Sequence, residues 1–550
     1  MRGKGWSVAA LALMVVATAP ERARAQALPP GVQNNPALNP DRINEEERRR
    51  LQERAEPRAT PNAGKLVEPP AASAAPASAE PEVRFRLTAV RFDASAYLSA
   101  AELDALAKPL IGREISIAEI RALIARVNAL YAARGIITAR AALPPQKIVD
   151  GVVSVRLVEG RIGAISVTGK SRRDNSHITK LGIDPGDYAD PTVLERRLKR
   201  FNLLNDTQLR ARLAQGSAFG TTDIALDPSP PKRIGVDVFA DNNGFASTGV
   251  WEEGAVLRAY RLFGAADRAS AVFVHSNGVK SGSANYSIPL WRGLRGGLSA
   301  STGTTDIVQP GAAGAGPIAI HGTSLSFGGD LSAVLIARRR TALLTTLSVQ
   351  DTRSTTNVAG PRVLDNRLLQ GGGGVVVSRE TPGLLLNAEV DVTDAHLIER
   401  VSGTVRDPVL LRGNFAIAKA IGGGVQARVR GDWQHAFASD LPGILQYQIG
   451  GARSVRAWEP GIAAGDSGGS VTGELGWTTR ARAGSIEPFV FVDHAQERGP
   501  SRSVSLQGAG AGLNAAIGPL TLRAHYAFAL DRGGLDRYAK RGYVSATLHF

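Results

Sequence analysis

The sequence ends on Gly542-Tyr543-Val544-Ser545-Ala546-Thr547-Leu548-His549-Phe550, a stretch that alternates between two kinds of side chain. Because successive side chains of a strand point to opposite faces, this stretch predicts one apolar face and one largely polar face. The apolar face consists of Val544, Ala546, Leu548 and Phe550. Such a strand fits a wall with lipid outside and water inside, and it equally fits a half-buried strand of a soluble sheet.

The amino-terminal end favours the membrane wall. Arg2 and Lys4 precede an apolar run over residues 8–19, and Ala23-Arg24-Ala25 has the small-x-small pattern of a cleavage site. We therefore predict a secretory signal peptide over residues 1–25, too short to anchor the chain in a membrane. An exported chain that ends on such a strand is a candidate outer-membrane β-barrel.

The composition restricts the class of protein further. The 550-residue chain has no cysteine, which excludes disulfides and thiolate metal sites, and its 5% aromatic content counts mildly against the girdles of a membrane barrel. The net charge of +15 is compatible with nucleic-acid binding. Export and the lack of an aromatic-basic platform argue against that use, so we expect no nucleic-acid partner and assign the charge to lipid headgroups or a cationic lumen.

A polar helix is predicted near the amino terminus. Within residues 26–57, the segment 41–57 has acids first and bases after them, with Asp41 as a candidate cap and with the pairs Glu45–Arg49 and Glu46–Arg50. The segment lacks an apolar stripe, so it is either a solvated tail or a polar rod in a wet cavity. The proline-rich residues 58–82 predict an extended linker.

The rest of the chain divides into three parts. Residues 83–160 predict two helices between strands, in the order β-α-α-β-β, and residues 161–231 predict the same order again. Residues 232–550 contain short alternating runs between glycine-rich turns, enough for about sixteen membrane strands at about 20 residues for each strand and its turn. The predicted fold is therefore mixed, with two tandem α+β units followed by an antiparallel barrel.

The sequence offers no reaction centre. The eight histidines are scattered, no phosphate-binding loop is present, and nothing singles out a pair of carboxylates. The run Gly508-Ala509-Gly510-Ala511-Gly512 opens no predicted helix, and Gly371–Gly374 predicts a loop or a close-packed strand start. We therefore expect no catalytic residues, no metal and no cofactor.

Two segments resemble the BamA/TpsB superfamily of outer-membrane barrels, and within it the TpsB transporters of two-partner secretion. Val455-Arg456-Ala457-Trp458 is similar to the Val-Arg-Gly-Tyr/Phe motif of a loop folded into the barrel, and Phe491 with Asp493 is similar to a Phe-x-Asp motif on the inner wall. The resemblance implies an Arg456–Asp493 ion pair in the lumen. Ala457 replaces the motif glycine and resists positive φ, which predicts a slightly different position of the loop tip.

The resemblance also implies the remaining organisation. The two α+β units correspond to POTRA domains, the polar helix corresponds to a plug, and the terminal apolar face of Val544, Ala546, Leu548 and Phe550 serves as an assembly signal. The implied function is a pore that binds an unfolded, β-helical, TpsA-like exoprotein through POTRA strand edges and exports it without nucleotide. The other implied partners are outer-membrane lipid, the barrel assembly machinery and periplasmic chaperones.

Three alternatives stay open at this point. A BamA-type barrel insertase would carry more POTRA repeats than the two that residues 83–231 accommodate. A passive solute porin would not need the Arg456–Asp493 pair. A secreted enzyme would need a site that the sequence does not show.

Overall fold

The computed structural model describes residues 38–56, 66–68, 84–168, 181–264, 266–309, 317–500, 502–531, 534 and 539–550. The predicted signal peptide and most of the predicted linker lie outside these residues. No described helix combines the length and the apolar composition that crossing a bilayer requires. The first elements are helix α1, Pro40–Ala55, and a two-residue strand β1, Val67–Glu68.

The first POTRA domain packs its helices on a small mixed sheet. Its elements are β2 Arg84–Arg86, β3 Ala89–Phe92, α2 Ala100–Ala107, a 3-10 turn Lys108–Leu110, β4 Glu114–Ser116, α3 Ile117–Ala133, β5 Ala139–Ala142 and β6 Val152–Glu159. Helix α3 begins at a capping box, in which the Ser116 backbone N–H donates to the Glu119 carboxylate at 2.8 Å. Its apolar stripe packs in one buried cluster with residues of β6, which lies between β3 and β5.

The second POTRA domain has a four-stranded sheet. Its elements are β7 Arg161–Val167, α4 Pro191–Leu204, β8 Gln208–Gln215 and β9 Thr221–Ser229. The Asp190 carboxylate caps α4 by accepting from the Thr192 N–H at 2.8 Å. The strand order is β1-β8-β9-β7, so a strand from within the predicted linker lies at the edge of this sheet.

The carboxy-terminal part is a closed antiparallel barrel. Its strands and those of one inserted loop are β10 Ile234–Asp241, β11 Glu252–Tyr260, β12 Arg268–His275, β13 Val279–Trp291, β14 Leu294–Gln309, β15 Ile318–Arg338, β16 Thr341–Val358, β17 Arg362–Thr381, β18 Leu384–Glu399, β19 Thr404–Arg406, β20 Val409–Gly422, β21 Val425–Ala436, β22 Tyr447–Ile449, β23 Ala463–Gly465, β24 Ser467–Trp477, β25 Thr479–Ala481, β26 Gly484–Arg498, β27 Ser503–Ile517, β28 Leu520–Ala529 and β29 Lys540–His549. Strands β22 and β23 pair with each other and are not part of the closed sheet of the barrel. Because β19 continues into β20 and β24 into β25, the eighteen wall segments of the described chain form sixteen strands, which confirms the predicted fold class.

The terminal strand closes the barrel. Strand β29 pairs with β28 on one side and with β10 on the other, where Asp237 faces His549 and Asp241 faces Ser545. The side chains of Val544, Leu548 and Phe550 are exposed on the outer surface, whereas Tyr543 is buried inside. This strand therefore has the two faces that its alternation predicts.

Two features of the wall differ from what composition suggested. Three tryptophans lie at strand ends, where Trp251, Trp291 and Trp477 are 63%, 78% and 57% exposed, so a low count still supplies aromatics to both rims. The run Gly371–Gly374 lies in the middle of β17, so its prediction as a loop or strand start was wrong. Neighbouring backbones approach closely there, and a Cβ on Gly372 would lie 2.5 Å from the Val392 carbonyl oxygen.

Candidate functional site in the barrel lumen

The loop between β21 and β24, residues 437–466, folds into the barrel. Its strands β22 and β23 form a small hairpin, and the Asp466 carboxylate fixes its base by accepting from the backbone N–H groups of Asp440 at 2.7 Å and Leu441 at 2.8 Å. The tip is a tight turn in which the Trp458 N–H donates to the Val455 carbonyl at 3.1 Å. This turn presents the side chain between them, Arg456, to the wall.

The structure brings Arg456 and Asp493 together. Both side chains are fully buried, and the guanidinium donates to both carboxylate oxygens, from Nε at 2.9 Å and from Nη2 at 2.7 Å. The Arg456 backbone N–H and the Thr472 hydroxyl also donate to Asp493, at 3.1 and 3.0 Å. A planar guanidinium that binds a carboxylate through two parallel bonds is held in orientation as well as in position.

A second carboxylate completes the site, and sequence reasoning missed it. Glu474 on β24 accepts from Arg456 Nη1 at 2.7 Å and from Arg523 at 3.1 Å, while the Phe491 ring centre lies 3.4 Å from the Arg456 guanidinium carbon. Glu474 is opposite Phe491 in the β24–β26 ladder, and Thr472 is opposite Asp493. If the pairing of β24 with β26 had been known, the alternation of side chains along β24 would have placed Glu474 on the same inner face as Thr472 and Asp493.

The loop tip packs on an apolar shelf. Phe489 and Phe491 on β26 are buried in one cluster with Val455, Ala457 and Trp458. This arrangement explains how two phenylalanines share an inward face with Asp493 in a polar lumen.

The glycine–alanine run on β27 makes room for that shelf. A Cβ on Gly510 would lie 2.5 Å from Phe491 Cζ, and a Cβ on Gly512 would lie equally close to Phe489 Cζ. A Cβ on Gly508 would lie 3.2 Å from the Ala457 Cβ at the loop tip. The alternate glycines of this run are therefore required on the inner face, beneath the rings and the loop.

The two residues that depart from the family motif, Ala457 and Trp458, fit the turn at the loop tip. Among the described non-glycine residues, those with positive φ are Asp150, Arg261, Ala359 and Asp440. Ala457 is therefore placed without the strain expected of a glycine replacement. Trp458 is buried, and its carbonyl accepts from the Gly451 N–H at 2.9 Å and from the Tyr543 hydroxyl at 3.4 Å, so it connects the loop tip to the terminal strand.

Helix α1 also lies inside the barrel. Its cap is Asn39, which accepts from the Asp41 N–H at 3.0 Å, so the expected Asp41 cap was wrong; Asp41 is instead buried and accepts from Asn366 of β17 at 2.7 Å. The two larger apolar residues of the helix, Ile43 and Leu51, pack into buried clusters with wall residues. A helix without an apolar stripe is thus held by two isolated apolar contacts and by polar groups.

Ion pairs join α1 to the first barrel hairpin. Arg50 lies 3.1 Å from Glu252 and 2.8 Å from Glu47 of its own helix, and Arg54 lies 2.8 Å from Asp241. Of the two predicted pairs within the helix, Glu46–Arg50 is present at 3.4 Å. The predicted partner of Glu45 was Arg49, but in the structure Glu45 pairs with Arg48, three residues after it.

The helix and the loop contact each other. Arg453 of the loop pairs with Glu46 at 3.6 Å and with Glu53, and the Gln448 amide donates to the Arg42 carbonyl at 3.2 Å. The lumen is therefore occupied by two neighbouring parts held through polar contacts. Within the described residues, no group of three or more His, Asp or Glu side chains has an arrangement that would bind a metal.

Comparisons with known proteins agree with this architecture. The model of the ShlB-type POTRA domain matches residues 85–160, and the model described as haemolysin secretion/activation protein ShlB/FhaC/HecB matches residues 220–515. Outer membrane transporter CdiB of Escherichia coli is 23% identical over 481 residues, 79% of this chain and 77% of the relative. Heme/hemopexin transporter protein HuxB of Haemophilus influenzae (strain 86-028NP) is 27% identical over 237 residues, and the match covers 42% of this chain and about two fifths of HuxB.

Solved structures share the fold. CdiB from Escherichia coli superposes with a TM-score of 0.70 at 18% identity, covering 96% of this chain and all of the other. CdiB from Acinetobacter baumannii gives 0.64 at 18% identity, covering 93% and 97%. The haemolysin secretion model matches more than half of the sequence, which confirms the resemblance inferred from the motifs, and the chain belongs to the ShlB/FhaC/HecB family of haemolysin secretion/activation proteins.

Proposed function

We propose that this protein is an outer-membrane pore of two-partner secretion, with its POTRA domains in the periplasm. The POTRA domains bind an unfolded exoprotein, and the exoprotein crosses the membrane through the barrel without nucleotide. The observation that carries this proposal is the lumen itself, which holds a helix and a loop through polar contacts. Neither the helix nor the loop that connects β21 to β24 contributes a strand to the closed wall, so both can move without breaking the ladders of the barrel.

The size of the barrel supports a protein-conducting route. Barrels of sixteen to eighteen strands leave an aqueous channel, whereas smaller barrels are filled by their own side chains. A helix with its side chains is about 10–12 Å across, so the space that α1 occupies is comparable to what an extended or helical client needs. The relatives named as transporters are compatible with this use.

Within this proposal, the loop motif, the inner-wall motif and the terminal strand each have a role. Arg456 and Asp493, with Val455, Ala457, Trp458 and Phe491 around them, hold the loop in its folded position. The apolar face of the terminal strand contacts outer-membrane lipid and is the signal that the barrel assembly machinery reads, after periplasmic chaperones have delivered the chain. The client is a β-helical exoprotein that adds a strand to a POTRA sheet edge.

The alternatives are weaker on specific grounds. An insertase of the BamA type would be expected to carry more POTRA repeats than the two in the described residues. A passive porin needs neither a lumen helix nor a buried arginine with two carboxylate partners.

Co-expression tests the proposal. The gene for a large β-helical exoprotein, sought beside the gene for this protein, is expressed with and without it, and exoprotein in the medium is measured by immunoblot. We expect export with the full chain and periplasmic retention when residues 84–160 are deleted. Export independent of this protein, together with faster uptake of small solutes when it is present, would favour a porin instead.

A further inference from the structure

Helix α4 of the second POTRA domain lies against the periplasmic rim of the barrel. The Lys199 side chain donates to the Arg339 carbonyl in the β15–β16 turn at 3.0 Å. The Arg200 guanidinium donates to the Leu335 carbonyl of β15 at 3.3 Å. On the neighbouring β13–β14 turn, a Cβ on Gly293 would lie 3.2 Å from Arg200 Cδ. The helix therefore contacts two adjacent turns of the wall.

Cations dominate this contact. The rim cluster consists of eight side chains, Arg196, Arg197, Lys199 and Arg200 of α4 with Arg292, Arg338, Arg339 and Arg340 of the wall. Arg339 pairs with Glu195 at 3.6 Å, and no other ion pair joins the cluster to a carboxylate of the described chain. Burial lowers the pKa of Lys199, and the carboxylates that favour its charged form, Glu380 and Glu195, do not offset that effect. The cluster therefore carries an excess of positive charge.

Two guanidinium groups of the rim cluster lie close to each other. Both are near Gly182, where a Cβ would lie 2.6 Å from Arg292 Nη1 and 3.2 Å from Arg197 Nη1. These two nitrogens are therefore at most about 6 Å apart. Like charges at this separation repel each other, so an anion bound between them would stabilise the contact between the POTRA domain and the barrel.

Exposed apolar side chains lie beside the rim cluster on the outer wall. Trp291, 78% exposed, directly precedes Arg292, and Leu290, Leu335 and Ile336 are exposed as well. Tryptophan is typical of the membrane–water interface, and basic side chains next to a membrane-spanning segment bind the headgroups of anionic lipids. The rim cluster is therefore at the level of the lipid headgroups of the periplasmic leaflet.

We infer that the rim cluster is a binding site for an anionic phospholipid of the periplasmic leaflet, with the lipid phosphate between Arg197 and Arg292 and the acyl chains on Leu290 and Leu335. The bound lipid neutralises like charges where α4 contacts the barrel, so it becomes part of that joint. An acidic protein segment would match the charges but would leave the exposed apolar side chains without a partner. The inference uses the membrane location of the barrel and does not depend on export of an exoprotein.

The fluorescence of Trp291 reports lipid contact at this site. The full chain is reconstituted in phosphatidylcholine vesicles that contain about one fifth phosphatidylglycerol, an anionic phospholipid. Bromine atoms, which quench tryptophan fluorescence, are carried by the phosphatidylglycerol chains in one sample and by an equal amount of phosphatidylcholine in the other. The contribution of Trp291 is the difference between the wild type and Trp291→Phe.

We expect brominated phosphatidylglycerol to quench Trp291 at least about threefold more strongly than brominated phosphatidylcholine, since each basic side chain near an anionic surface favours it about fivefold. In Arg197→Gln with Arg292→Gln, the ratio is expected to fall to about one. Equal quenching by the two lipids in the wild type, or an unchanged ratio in this double variant, would overturn the inference.

Two controls separate the site from a general effect of charge. Trp251 lies at the opposite rim beside Glu253, which is 76% exposed, so no preference for phosphatidylglycerol is expected there. Arg126→Gln with Arg140→Gln removes the same charge from exposed positions of the first POTRA domain and is expected to keep the preference at Trp291. An equal loss of preference in this control would also overturn the inference.

Lipid retention provides a second measurement that does not use fluorescence. The full chain is purified in detergent with both lipids present and analysed by native mass spectrometry, after heat-modifiable mobility has shown that the barrel is assembled. We expect the Arg197→Gln, Arg292→Gln variant to retain at least about tenfold less phosphatidylglycerol than the wild type. Equal retention, or replacement of the lipid by inorganic phosphate added in excess, would contradict a phospholipid site.

Discussion

Arg456→Ala is expected to lower export of the exoprotein at least about tenfold while the barrel still assembles. The substitution leaves two inward carboxylates, Asp493 and Glu474, without the guanidinium that both contact. Removing one partner of a well-buried pair costs about 3–5 kcal/mol. That free energy is lost from the folded position of the loop, because the wall strands keep their ladders. Export is measured by immunoblot of the medium, and assembly by heat-modifiable mobility of outer-membrane fractions.

Because Glu474 is a second partner of Arg456, the two single variants of the ion pair are expected to differ in the size of their effects. Asp493→Ala is expected to have a smaller effect than Arg456→Ala, because Arg456 keeps Glu474 at 2.7 Å. The double variant is expected to lose less than the sum of the two single losses. Arg362→Ala is the matched control, since its pair with Asp365 at 3.2 Å is exposed, and exposed pairs contribute about 0–1 kcal/mol. Additive losses, or normal export in both single variants, would remove the pair from the mechanism.

Glu474 also affects the result expected when the charges of Arg456 and Asp493 are exchanged. Arg456→Asp with Asp493→Arg would place a new carboxylate beside Glu474, so we expect that swap alone to recover little activity. Adding Glu474→Gln is expected to restore part of the export, since the repulsion is then removed. Recovery that does not depend on residue 474 would show that the second carboxylate is not part of the site.

Deleting residues 40–55 is expected to raise single-channel conductance several-fold and to leave assembly intact, because the helix fills space inside a barrel wide enough for an aqueous channel. The double variant Arg50→Ala with Arg54→Ala should act in the same direction through more frequent openings. It removes the contacts to Glu252 and Asp241 of the first hairpin. Conductance is recorded in planar bilayers at fixed salt concentration.

Arg49→Ala provides the control for the helix. Arg49 is 39% exposed and its ion pair, with Glu46 of the same helix, is long at 3.8 Å, so its loss should not release the helix from the wall. If the deletion leaves conductance at the wild-type value, α1 does not limit the pore, and the proposed role of the helix as a plug is wrong.

The barrel was predictable from sequence because its signal is local. The alternation of Val544, Ala546, Leu548 and Phe550 is present in the chain itself, and the length of residues 232–550 fixes the approximate number of strands. The polar helix was left with two alternatives because a helix in a wet lumen and a helix in solvent have the same composition. Its environment depends on wall residues more than 180 positions away, such as Asp241 and Glu252.

Three of the features that sequence reasoning missed are set by strand pairing. Glu474 became a site residue only when β24 was placed beside β26. The role of Gly508, Gly510 and Gly512 depends on phenylalanines of the neighbouring strand. Strand β1 has two residues and no alternating pattern of its own, so the sequence did not predict that it pairs with the sheet of the second POTRA domain.

The passage of the client through the lumen can be measured directly by photocrosslinking. Gln350 and Val349 are neighbours on β16; Gln350 accepts from Arg48 of the plug helix at 3.1 Å, whereas Val349 is 54% exposed on the outer surface. A photoreactive residue is placed at one or the other position, and the exoprotein is arrested during export by a stably folded carboxy-terminal fusion. We predict a covalent adduct with the exoprotein from position 350 and none from position 349. Adducts from position 349 alone, or none from position 350 while export is arrested, would contradict transport through the barrel.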